Sequence, residues 1–232
     1  MHDKIKLMLE MQSGFNARIS DEWQLQGYSW PRAIWTECGE LMDHIGWKWW
    51  QEQSMDLPQA QLEVVDIWCF CLSLMIQDKG LDDALVESIA SGLNSPTFGQ
   101  ASVDPLEVVE NFAGLVLGTH SVPVPMFASI MDSMHLDVDG LFSLYVGKMV
   151  LNRFRQENGY RTDGYVKRWN GQEDNVHLVE VCAYAGDMAQ REGESIELII
   201  YRELDQRYRE LVLSRQQPRM PRSAVGGALA TA

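Results

Sequence analysis

The chain has 232 residues, with a hydrophobic fraction of 46% and a charged fraction of 22%, the size and balance of one soluble globular domain with a short appendage. Its formal net charge of -14 and pI near 4.7 repel duplex nucleic acid and anionic lipid. A nucleic-acid polymer and a membrane are therefore poor partners.

The periodicity is helical nearly throughout. Ile5, Leu7, Met8, Leu9 and Met11 open an amphipathic segment that runs to about Ile19. A second helix begins after Pro31 and carries Ile34, Glu37, Cys38, Leu41 and Ile45. Asp56 and Pro58 mark the start of a third, because proline in the first turn forfeits no hydrogen bond, and Lys79-Gly80 closes it. Further helices are expected over 82–91, 105–119 and 124–135, punctuated by Gly, Pro and Ser. A longer one should run from about Asp139 to Asn158 and stop at Gly159. After a glycine-rich, aromatic loop from Tyr160 to Asn175, helices follow near 176–190 and 195–215, the last with Ser195 as its N-cap. No alternating strand pattern and no internal repeat stands out. The reading is all-α: a helical bundle forming one domain over 1–217, with a small-residue tail over 218–232 expected to be disordered.

The cysteines Cys38, Cys69, Cys71 and Cys182 form no CxxC pair and have no accompanying His cluster, which argues for reduced thiols rather than structural zinc. The opening Met1-His2-Asp3-Lys4 lacks signal-peptide form. The apolar stretch from Leu62 to Ile76 is interrupted by Glu63 and Asp66 and is short for a bilayer. A cytoplasmic protein is expected.

That stretch carries the strongest chemical signal. A helix apolar on all sides is buried on all sides, yet Glu63 and Asp66 share one face of it, three residues apart. Glu37 and Glu40 repeat the spacing on the preceding helix. One such pair usually marks a solvated face; two among Trp, Leu, Ile and Val are unusual. Four buried, unpaired carboxylates would be prohibitive, and no Lys or Arg lies near enough in sequence on either helix to offset them. A hard divalent cation with oxygen ligands is expected.

Between Lys148 and Arg168 the sign of the charge reverses: Lys148, Arg153, Arg155, Arg161, Lys167 and Arg168 face Glu157 and Asp163. Lys148, Asn152 and Arg155 share a helix face, and the loop behind them mixes glycines with side-chain amides. Such a surface can grip phosphate, with Arg forking onto its oxygens and Lys acting as a point charge. Metal site and phosphate cradle together are what phosphoryl transfer requires.

Ordered blocks sharpen this: Met11-Gln12-Ser13-Gly14-Phe15-Asn16; Glu37-Cys38-Gly39-Glu40 followed by Trp47-Lys48-Trp49-Trp50; Glu63-Val64-Val65-Asp66; and the segment from Lys148 through Asn175. In this order they resemble the dimeric, all-α dUTPases of trypanosomatids, bacteria and phages, relatives of the MazG-type nucleotide pyrophosphatases. The resemblance implies Mg²⁺ (with Mn²⁺ as a substitute) on Glu37, Glu40, Glu63 and Asp66, and Glu40 as general base. It implies Gln12, Asn16 and Trp49 around the base of the nucleotide, and Asp66 and Tyr160 near its sugar. Asn152, Arg155, Lys167 and Asn175 would bind phosphates, with Lys148 close by. The implied reaction is water attack on the β-phosphorus of dUTP, releasing dUMP and pyrophosphate, in a homodimer. Two positions depart from the pattern: Cys69 stands where the family has His, and Gln51 where it has Lys. Both bear on selectivity, so another deoxynucleotide (dCTP or a modified pyrimidine) is the alternative substrate. A catalytically idle helical binding protein is the alternative of another class.

Overall fold

The computed structural model describes residues 1–97 and 104–213. The tail expected to be disordered, 218–232, lies outside these residues. Among them, the long elements are helices α1 (His2–Ile19), α2 (Trp30–Ile45), α3 (Leu57–Lys79), α4 (Asp83–Leu93), α5 (Pro105–Thr119), α6 (Val124–Ser133), α7 (Val138–Glu157), α8 (Asp174–Glu192) and α9 (Ile196–Tyr208). All nine follow the expected segments to within a few residues, and α9 passes into a π-turn, Arg209–Leu213.

Local chemistry explains the boundaries. Side chains of Asp56, Asp82, Asp104, Asp137 and Ser195 accept hydrogen bonds from the first-turn amides of α3, α4, α5, α7 and α9, satisfying donors that a helix start leaves unpaired. Gly80 ends α3, its N–H donating to the Ile76 carbonyl.

Helix α3 is the spine. Fifteen of its residues are buried, on every side, and α1, α2, α6, α7 and α8 all pack on it. By length and composition alone it could cross a membrane, contrary to the expectation from its shorter apolar run, but most of that window is covered by protein. One hydrophobic cluster joins α1 to α7 around Trp68, Phe112, Phe127 and Tyr145. A second, around Phe154, Trp169 and Ile200, joins α7 to α9 and takes Leu62 from α3. Gly147 makes the junction tight: a Cβ there would lie 2.6 Å from Cys182 Sγ and 3.3 Å from Leu178 Cδ1, so any larger residue would force α8 side chains to shift.

Among the described residues, short 3-10 turns at Trp23–Leu25 and Tyr160–Thr162 were not expected, and the loop expected from Tyr160 to Asn175 contains a short hairpin. Strands β1 (Arg168–Trp169) and β2 (Gln172–Glu173) pair antiparallel around Asn170-Gly171, whose φ angles are +53° and +89°. Asn-Gly is the favoured pair for such a turn. The hairpin starts α8 at Asp174, so Asp174 and Asn175 stand on its first turn rather than in a loop.

Candidate active site

Helices α2 and α3 bring three carboxylates together. Ligand oxygens of Glu37, Glu63 and Asp66 lie within 4.8 Å of one another. Glu63 is only 3% exposed, and its Oε2 is buried without a hydrogen-bond partner. Burial pushes Glu63 up to about 8 and Glu37 to about 7 from an ordinary 4.5, and the Asp66 carboxylate raises both further. An all-oxygen donor set with an orphaned carboxylate oxygen fits a hard divalent cation such as Mg²⁺.

Two expectations about these acids need correction. Glu40 is exposed rather than inward. At about 100° per residue it stands roughly 120° from the Ile34–Leu41 line, whereas Glu37 stands only about 60° away. Glu40 remains close enough to raise both Glu37 and Glu63. Nor are the acids without a cation from the protein. Lys148 of α7, 3% exposed, places Nζ 2.6 Å from Asp66 Oδ2 and donates to Asn175 Oδ1 at 3.1 Å. No count along α2 or α3 could reveal it, because it arrives from a helix about eighty residues on.

One cleft, of about 460 Å³, unites most of the residues singled out in the sequence: its lining includes Gln12, Asn16, Glu37, Asp66, Lys148, Asn152, Arg155 and Tyr160. Phe15, Trp30, Cys69, Phe70 and Met149 supply its apolar part. Glu63 and Asn175 stand behind this lining, through the acid cluster and the Lys148 bond respectively. Trp49 and Lys167 do not line the cleft. Trp49 is 88% exposed and stacks edge-on against Trp50, in the connection between α2 and α3. Lys167 is half exposed and pairs with Glu173 at 3.3 Å.

Asp174 is the residue that sequence reasoning missed. Fully buried, it accepts from Arg155 Nε and Nη2 at 2.8 Å each and from the Tyr165 hydroxyl at 2.7 Å. Burial opposes both charges, but these bonds override it, holding the Asp174 carboxyl below its ordinary range and Arg155 firmly protonated. The bidentate grip fixes the plane of the guanidinium, leaving Nη1 only a long bond, 3.3 Å, to Asn152 Oδ1. The available signal was an acid three residues past the Asn-Gly turn, seated at a helix start.

The metal-free acids predict a pH effect. Raised carboxyls bind more protons in the folded than in the unfolded chain between about pH 4.5 and 8, so stability falls as pH rises through that window. A bound cation must displace those protons. Millimolar Mg²⁺ should therefore raise the melting temperature, and raise it more at pH 8 than at pH 5. Equal shifts at both pH values, with a chelator control, would exclude these acids as the ligands.

The chain matches no curated protein. A family model described as dUTPase, however, matches residues 4–160. That span covers α1 through α7, and with them the three clustered acids, the Gln12–Asn16 pair and the Lys148–Asn152–Arg155 face. Over more than half of its length, then, this protein carries the dUTPase pattern, and it belongs to the dUTPase family of nucleotide-hydrolysing enzymes.

Proposed function

We propose that this protein hydrolyses dUTP to dUMP and pyrophosphate with Mg²⁺ held by Glu37, Glu63 and Asp66, and Glu40 beside them. The observation that carries the reading is the single cleft that joins two of those acids to the Lys148–Asn152–Arg155 face and to the Gln12–Asn16 amides. When bound, Mg²⁺ supplies positive charge that neutralises the carboxylates and polarises phosphoryl oxygens; Mn²⁺ is a substitute of the same class.

The residues divide the remaining work. Arg155 and Asn152 meet phosphate oxygens, and Lys148 beside them on α7 adds a second cationic contact. Glu40 takes the proton from the water that attacks the β-phosphorus; the bond from that phosphorus to the oxygen bridging it to the α-phosphate breaks, and dUMP leaves with that oxygen. An exposed carboxylate suits this role because it can pass the proton on to solvent. Gln12 and Asn16 hold the base, and Tyr160 and Asp66 approach the sugar. Trp49 would reach the base only if the connection between α2 and α3 moved.

Cys69 favours a second reading, with another deoxynucleotide as substrate. It lines the cleft one turn from Asp66, and a thiol is a weak hydrogen-bonder, so another deoxynucleotide remains the alternative substrate. Pyrophosphate release from a panel of nucleoside triphosphates, with and without Mg²⁺, tests the reading. dUTP should be hydrolysed best, dCTP and dTTP poorly, and nothing without a divalent ion. Equal efficiency on dCTP would remove the uracil claim and leave the pyrophosphatase. A homodimer is supported by the exposed Leu115 and Leu117 on α5 and Trp35 on α2, and a cytosolic location by four free thiols.

A further inference from the structure

The amides that face the base are not free rotors. Gln12, Asn16, Ser73 and Tyr145 are each at most 4% exposed, and they form one hydrogen-bonded row across α7, α1 and α3. The Ser73 hydroxyl donates to the Cys69 carbonyl at 2.9 Å, which commits its only proton and leaves lone pairs toward Asn16. Asn16 Nδ2 donates to Ser73 Oγ at 2.9 Å. That turns Asn16 Oδ1 toward Gln12, whose Nε2 donates to it at 3.1 Å. Gln12 Oε1 then faces the Tyr145 hydroxyl at 3.0 Å. The Met8 carbonyl lies 2.9 Å from the same hydroxyl, so the single Tyr145 proton has two acceptors within reach, and the row needs it on Gln12.

With the Tyr145 proton on Gln12 Oε1, every link in the row has one donor and one acceptor, and all run in the same sense. Reversing one carboxamide alone would set lone pair against lone pair, or N–H against N–H, in a buried place where mismatches are costly, and the two hydroxyls at the ends decide which sense the whole row takes. Each amide keeps one N–H and one oxygen lone pair outside the row, and both residues line the cleft. Uracil offers N3–H and the O4 acceptor; cytosine reverses both. An amide able to turn over would accept either base.

We propose that Tyr145 and Ser73 are positioning residues that lock the Gln12 and Asn16 carboxamides in one orientation and so set the preference for uracil over cytosine. The inference rests on the dUTP reading above. It deepens that reading by making selectivity depend on two hydroxyls that need not touch the nucleotide.

The test compares kcat and KM for dUTP and dCTP, with Mg²⁺, in the wild type, Tyr145→Phe, Ser73→Ala and Ser73→Thr. The two deletions each remove one oxygen; threonine keeps it and can still bond the carbonyl one turn back. Expected is a roughly tenfold fall in the dUTP-to-dCTP ratio of kcat/KM in both deletions. It should appear in KM, with kcat on dUTP little changed and the ratio restored in Ser73→Thr. A wild type without preference would overturn both the uracil reading and this inference. A selective wild type whose deletions keep the ratio, or lose kcat on both nucleotides alike, would overturn only the positioning role. Should one deletion fail to fold, the other decides.

Discussion

Glu63→Gln is expected to lower pyrophosphate release from dUTP by at least about 100-fold, beyond the 10- to 100-fold that loss of an outer-shell partner costs a metal site. The side chain is 3% exposed, and one of its oxygens has no protein partner. A neutral amide of the same shape keeps the packing and removes a ligand charge. The metal-free variant should melt higher than wild type at pH 8, because one fewer carboxylate is forced to ionise beside Glu37 and Asp66. Its response to Mg²⁺ should shrink. Glu40→Gln separates the two roles: activity should fall by about 10²–10⁴-fold for loss of a general base, while most of the Mg²⁺-induced rise in melting temperature survives. If Glu40→Gln keeps near-wild-type turnover, the base lies elsewhere in the cluster. If Glu63→Gln keeps both turnover and its Mg²⁺ response, the cluster is not the metal site.

Asp174→Ala should produce a large loss of stability. It strips both 2.8 Å bonds from Arg155 and leaves a largely buried guanidinium without its carboxylate. Removing one member of a buried pair costs about 3–5 kcal/mol, which for a chain of this size is roughly a 6–20 °C fall in melting temperature. Activity measured below that temperature should also drop, since Arg155 no longer presents a fixed plane to phosphate. Arg168→Ala is the control: its side chain is 70% exposed and its contact with Glu173 is 3.5 Å, so stability should hardly change. A melting curve for Asp174→Ala that overlays wild type would show that Arg155 finds compensation elsewhere and that Asp174 does not position it.

Much of this protein is written locally. The starts of α3 and α9 follow from Asp56 and Ser195, and the burial of α3 follows from a run that is apolar on every side. Glu63 and Asp66 declare themselves because acids in such a run contradict their surroundings. Side-chain caps, helical period and burial pattern all act within a window of a few residues, so a linear reading reaches them. The short hairpin sits at the edge of that reach: strands of two residues show no alternation, and only Asn170-Gly171 announces it.

The partners of those acids were decided by the tertiary structure alone. Lys148 meets Asp66, and Asp174 grips Arg155, because Gly147 lets α8 approach α7 and because α7 crosses α3 at that level. The outward turn of Glu40, by contrast, already follows from the period of α2, and Trp49 and Lys167 lie beyond the cleft in connections, between α2 and α3 and before β1. Tyr145 and Ser73 carry no signal of their own in the sequence and join the row through Gln12 and Asn16 only once three helices are packed. Helical period fixes which residues share a face. Which face meets which, and which charge finds its opposite there, depends on contacts tens of residues apart, where no local periodicity extends.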